Sequence, residues 1–290
     1  MVARRLAIAI IAVFIAAAAT LPARADTSGN TLDAIKARGV LKIGVKYDSP
    51  PFGVLDPKTN QVEGFDIDVA HALAKAILGD PNKVQFTQVN SSTRIPLVQN
   101  GDIDMFIATA TITPARLQQI DFSNVYYIAG ESLLVKKNSP IKSYKDLGGK
   151  SVCTTAGSTE DTEIRQLAPT ANVQTFDSYA SCFTALQSGR IDAMTTDNTI
   201  LVGYQQQDPA DFALVGGLLS FEPYGIGIAK GNVTLLKAVN AALATLVKSK
   251  DYDKMNEMWN HSPLTPDVKS QLGMDAAMAG DKFAAGQPKK

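Results

Sequence analysis

The chain has 290 residues, about twice the ~150 of a typical domain, which leaves room for one large or two small domains with proper cores. Apolar residues make up 45% and charged residues 19%, a balance that excludes collagen, coiled coil and a disordered tail. With 28 basic against 28 acidic side chains there is no basic stripe for nucleic acid, which is therefore not an expected partner.

Taken in chain order, Arg4 and Arg5 precede an apolar run from Leu6 to Ala19, followed by Leu21-Pro22 and the small-residue pattern Ala23-Arg24-Ala25. This reads as a secretory signal over residues 1–25, cleaved after Ala25. The run has 14 residues, short of the ~20 a membrane anchor needs. No cysteine precedes Cys153, so no lipid-anchor cysteine lies near the cleavage point. The mature chain keeps 25 basic and 28 acidic groups, a charge of −3, and is expected free in an oxidising compartment.

Beyond the signal, strand-like and helix-like segments alternate, which predicts parallel-rich sheets covered by helices. Val40 to Lys46 reads as a strand, Asp66 to Leu78 as an amphipathic helix, and Val84 to Val89 as a strand. A short helix over Ser92 to Asn100 and a strand from Ile103 to Ala108 complete a βαβαβ unit. A repeat follows: Val98-Gln99-Asn100-Gly101-Asp102-Ile103-Asp104 and Leu186-Gln187-Ser188-Gly189-Arg190-Ile191-Asp192 share one pattern at an offset of 88. Strands at Ser151 to Thr154, Val173 to Phe176 and Ala193 to Thr196 surround the second copy, with helices at Ser158 to Leu167, Ser178 to Ser188 and up to Gln207. The fold class is α/β, with two lobes. Tyr224 to Ala229 reads as a strand and Val233 to Ser249 as a helix, with another through Trp259; these return to cover the first lobe. Crossings are expected near Ser132 to Lys136 and Tyr224 to Ile228, forming a two-crossing hinge. The division is 26–134 for the first lobe, 135–225 for the second, 226–262 for the return, and 263–290 for an extension loosely held from Gly273 onward.

Enzyme and metal signatures are thin. Asp68 and His71 share a helix face without a further ligand nearby in sequence, and Gly149-Lys150-Ser151 lacks the first glycine of a phosphate loop because Tyr144 stands there. No metal, cofactor or catalytic residue is expected. Cys153 and Cys182 are the only cysteines, and in an exported chain a bridge is expected, with buried free thiols as the alternative.

Ligands of parallel α/β folds bind at carboxyl strand ends. There the first lobe reads Thr109-Ala110-Thr111-Ile112-Thr113-Pro114-Ala115-Arg116, and the second Thr195-Thr196-Asp197-Asn198. The offset carries Thr109 onto Asp197. Together these complement a zwitterion: Arg116 can hold a carboxylate bidentately, and Asp197 with Thr111 and a carbonyl near Thr109 can take an ammonium. Thr155-Ala156-Gly157-Ser158-Thr159 adds a glycine turn into a helix N-terminus suited to an anion, through Thr155, Ser158 and Thr159. The plain alternatives are Asp197 as a helix cap and Arg116 as a surface residue.

Gly64-Phe65-Asp66-Ile67-Asp68-Val69-Ala70, the Thr111-Ile112-Thr113-x-x-Arg116 run with Asp121-Phe122-Ser123, Tyr126-Tyr127, Tyr224-Gly225 and Lys230-Gly231 resemble the polar amino-acid-binding proteins of ABC importers over Leu32 to Trp259. The resemblance implies a two-lobed periplasmic-binding-protein fold that closes on one amino acid, Arg116 on the α-carboxylate and Asp197 on the α-ammonium. It implies a monomeric periplasmic receptor that docks on membrane permease subunits, and a Cys153–Cys182 bridge like that of some members. Thr93-Arg94-Ile95-Pro96 is similar to the run of glutamate and aspartate binders, with Thr93 in place of their asparagine. Arg94, with Lys46 as a second positive group, is expected to read an acidic side chain, giving L-glutamate or L-aspartate as the ligand. Glutamine, asparagine or a broad polar range is the alternative, as is Arg94 lying along the helix surface. Phe52 resembles an aromatic wall over the ligand's methylenes, or is ordinary core. The rival class is an enzyme, since the fold also resembles periplasmic cyclohexadienyl dehydratases.

Overall fold

The computed structural model describes residues 30–261 and 264–287, so the expected signal peptide lies outside the described residues. The first part comprises α1 (Leu32–Arg38), β1 (Leu41–Val45), a small antiparallel sheet of β2 (Asp48–Ser49), β3 (Gly53–Leu55) and β4 (Val62–Glu63), then α2 (Phe65–Leu78). It continues through β5 (Val84–Gln88), α3 (Arg94–Asn100), β6 (Met105–Phe106), α4 (Pro114–Leu117), β7 (Ile120–Phe122) and β8 (Tyr127–Ala129). The middle part holds β9 (Glu131–Lys136), β10 (Ser151–Thr155), α5 (Thr159–Leu167), β11 (Asn172–Phe176), α6 (Tyr179–Gln187), β12 (Ala193–Asp197), α7 (Asn198–Gln205), β13 (Phe212–Val215) and β14 (Glu222–Tyr224). The return is β15 (Gly227–Ala229), α8 (Val233–Leu246) and α9 (Lys250–Asn260), followed by α10 (Pro266–Gln271) and α11 (Ala276–Gly286).

Two five-stranded sheets carry the lobes, ordered β5-β1-β6-β15-β7 and β11-β10-β12-β9-β13. In each, the first three strands pair parallel and a single reversed strand, β15 or β9, joins the fifth, so the sheets are mixed but four of their five strands run the same way. The repeat has a physical cause. Asp104 accepts the Lys42 N–H at 2.7 Å and Asp192 accepts the Ser151 N–H at 2.8 Å, pinning the starts of the equivalent strands β1 and β10. Gly101 and Gly189, at φ 82° and 76°, provide the left-handed turn that brings each aspartate there.

Four expectations change. The crossing strands are β8 and β14, paired antiparallel, and not the segments around Ser132 to Lys136 and Tyr224 to Ile228. All of β9 pairs with β12, so the expected lobe boundary at residue 134 falls inside a strand of the second sheet. The run from Tyr224 to Ala229 is interrupted because Gly225 lies against Ile112 and Phe122, where a Cβ would come within 2.8–2.9 Å, and the chain passes from hinge to first sheet there. The extension is not loose. Asp275 caps α11 by accepting the Ala277 N–H at 2.8 Å, and Ala276 and Ala279 are buried in the cluster of Ile112, Ile120, Phe122 and Val125.

Candidate ligand-binding site

The carboxyl ends of β6 and β12 meet across the cleft, as the strand-end rule requires. Thr113 caps α4, accepting the Arg116 N–H at 3.1 Å, and Pro114 starts the helix, so this single turn presents Arg116 inward. Arg116 donates from Nη1 to the Thr111 carbonyl at 2.9 Å and from Nη2 to the Gly157 carbonyl of the other lobe at 3.0 Å. It is buried, not a surface residue. Thr109 has φ +47°, unusual for a threonine, and its N–H donates to the buried Asp66 at 3.1 Å. Asp66 also accepts the Tyr126 hydroxyl at 2.9 Å, and burial pushes its carboxyl up to about 7.

Asp197 begins α7, but its carboxylate makes no cap bond. Instead Oδ2 accepts the Tyr224 hydroxyl at 2.6 Å and Oδ1 has no partner. Burial raises its carboxyl well above the usual range, and the neighbouring Glu160 and Glu222 add to this. On the same lobe, Thr155 donates across the cleft to Ser91 at 3.4 Å, Ser158 shares a hydrogen bond with Thr154 at 3.2 Å, and Thr159 donates to Glu222 of β14 at 3.2 Å. Gly157, at φ +79°, lies so near Ser92 that a Cβ would be 2.9 Å from its Cα.

These groups converge on one pocket, lined by Ser91, Arg94, Thr109, Thr111, Ser158, Thr159, Glu160, Tyr179 and Asp197. Arg116, Lys46 and Thr155 stand just behind, each bonded to or stacked on a lining residue. Lys46 donates to Ser91 at 3.1 Å, lies 4.2 Å from the Tyr179 ring centroid, and is lowered to about 8 by burial and by Arg94. Arg94 is fully buried rather than lying along the helix surface; Nη1 donates to the Ala108 carbonyl at 2.6 Å and weakly to Thr109, while Nε has no partner. Burial, then the neighbouring Arg116, brings its guanidinium down to about 9. Phe52 is outside the pocket lining. Its ring packs 5.0 Å from Tyr127 and 5.6 Å from Tyr224, in the aromatic core beneath the hinge.

The model of the bacterial extracellular solute-binding proteins, family 3, matches residues 41–262. The chain belongs to this family. It is 47% identical over 235 residues to the ABC transporter glutamine-binding protein GlnH of Bacillus subtilis (strain 168), covering 81% of this chain and 86% of that one. It is 52% identical over 211 residues to the glutamine-binding protein of Geobacillus stearothermophilus, covering 72% and 80%. Among solved structures, an ancestral arginine-binding protein bound to glutamine is 43% identical with a TM-score of 0.72, over 77% of this chain and 98% of that one.

Sequence reasoning missed three lining residues, Ser91, Tyr179 and Glu160. Tyr179 was within reach, because the offset of 88 carries Ser91 onto it, and the two meet across Lys46. Glu160 carried a weaker signal. An acid in the first turn of a helix ordinarily serves the helix dipole, and only the structure shows it buried, 1% exposed, with both oxygens partnerless inside the pocket.

Proposed function

We propose that this family member is the exported amino-acid receptor of an ABC importer, that it binds without reacting, hands its ligand to membrane permease subunits, and selects L-glutamine. The observation that carries the choice of ligand is that the unmet groups of one pocket include, besides Asp197 Oδ1 and Thr109 Oγ1, both an acceptor, the Glu160 carboxylate, and a donor, the Arg94 Nε–H. A side-chain amide offers both a donor and an acceptor and can satisfy the two together. A side-chain carboxylate would answer Arg94 but leave Glu160 unpaired and opposed by like charge. Arg116 takes the α-carboxylate and Asp197 the α-ammonium, the roles their two lobes make complementary. The names of the two glutamine-binding relatives support the same reading.

The glutamate and aspartate reading rests on Arg94 and Lys46, and both are partly engaged, Arg94 with main-chain carbonyls and Lys46 with Ser91 and Tyr179. Calorimetric titration of the exported protein against the twenty amino acids tests the proposal. Glutamine is expected to bind more tightly than glutamate by about 1.5–3 kcal/mol, roughly 10- to 150-fold. A tighter fit for glutamate would overturn the choice, and recovery of a chemically altered ligand would overturn the receptor reading.

A further inference from the structure

The segment from Thr265 to Gln287 lies beyond residue 262, where the family match ends, yet it is tied to the parts on which ligand capture depends. Its entry makes a two-bond main-chain pair with the residue leading into the first crossing strand: Val125 N–H donates to the Met274 carbonyl at 2.9 Å and Gly273 N–H to the Val125 carbonyl at 2.8 Å. Halfway along α11, Gly280 presses on α4, where a Cβ would come within 2.9 Å of Leu117 Cδ1 and under 4 Å of Pro114. At its end, Gly286 lies against Phe221, next to the second crossing strand, with the same measure at 3.2 Å. α11 therefore runs from one crossing strand to the other over the helix that carries Arg116.

A four-residue helix cannot hold itself in place, since isolated helices below about 12–15 residues are marginal in water. On one side α4 has the Thr113 cap; on the other it has α11. We infer that the C-terminal segment is a positioning element of the ligand site: by holding α4 against both crossing strands it fixes the pose of the Arg116 guanidinium as the lobes close. This rests on the reading that Arg116 takes the α-carboxylate, and its test separates the two.

The test is a double-substitution cycle in the full-length exported protein, read by calorimetry with glutamine. Gly280→Leu drives a side chain into Leu117 and should weaken glutamine about tenfold. In an Arg116→Lys background the same change should alter affinity less than twofold, because the group it positions is already gone. Met278→Ala, on the solvent side of α11, should leave affinity unchanged. If Gly280→Leu fails to fold by circular dichroism, Leu117→Ala removes the contact from the other side without adding bulk and decides in its place. Affinity within twofold of wild type, or the same factor lost in both backgrounds, overturns the inference. If Arg116→Lys itself costs nothing, the carboxylate reading fails on its own. If wild type prefers another amino acid, the cycle runs with that one, since every amino acid carries the α-carboxylate; a wild type that binds none overturns both.

Discussion

Asp197 combines a partnerless oxygen with a carboxyl that burial raises well above its usual range, so the free protein favours its protonated form. An arriving α-ammonium favours the charged form, and the proton must leave. Because the complex binds fewer protons than the free protein, affinity should rise with pH between the usual carboxylate range and that raised value. Titrations in buffers of different ionisation enthalpy should report proton release on binding; heats independent of the buffer would contradict this role. Glu160 gives a second residue-scale prediction. Glu160→Gln removes the charge that opposes an acidic side chain and replaces an acceptor with a mixed group, so glutamine should weaken, glutamate should gain, and their ratio should fall by about tenfold or more. A ratio unchanged from wild type would show that another residue reads the side chain.

β10 and α6 are joined by the Cys153–Cys182 bridge, with Cα atoms 5.8 Å apart, and thus fix the second lobe's wall beside Thr155 and Tyr179. Cys182→Ser should lower stability by ~3 kcal/mol, measured by urea unfolding, because the loop it frees is 29 residues in separation. Next to this wall, Glu131 on β9, Glu163 on α5 and Glu222 on β14 are buried carboxyls; burial and Glu131 raise Glu163 to about 10, and Asp66 in the other lobe stands at about 7. A raised carboxyl contributes stability that is full below its unfolded value and is lost as pH rises through the folded one. The melting temperature should therefore fall from pH 5 through 7 and on towards 10; a flat profile would place these acids in contact with cations. The elements themselves were legible, because period and turn residues are local: the Gly101 and Gly189 turns and the paired aspartates stand plainly in the sequence. What was not legible depended on distant contacts. Whether Ser132 belongs to a hinge or a sheet is decided by pairing with Thr196, and the burial of an alanine- and glycine-rich tail is decided by Leu117 and Phe221.

The lobes are covalently joined only through the hinge, the β8–β14 pair, so their apposition elsewhere depends on contacts that form together. Asp48 of the first lobe accepts the Tyr179 N–H at 2.7 Å on its side chain and the Tyr204 hydroxyl at 2.6 Å on its carbonyl. Close by, Gly203 of α7 meets Pro50 so tightly that a Cβ would be 2.6 Å from the Pro50 carbonyl oxygen. That oxygen is main chain and cannot swing aside. Trp259, the only tryptophan, borders the space between the lobes with Asn198, Thr199 and Val202, so its emission should report their approach. With the proposed binding groups divided between the lobes, ligand should be held fully only when the lobes meet and should shift the population towards closure. In wild type, ligand should reduce the radius of gyration by X-ray scattering and change Trp259 fluorescence. Gly203→Val, far from the pocket lining, should act as a prop: the melting temperature of the free protein should hold, the contraction should shrink, and affinity should fall by roughly tenfold or more as the competent state becomes rare. If Gly203→Val binds and contracts as wild type does, closure does not pass through the Pro50 contact, and the coupling between cleft and lobe interface drawn from this geometry is wrong.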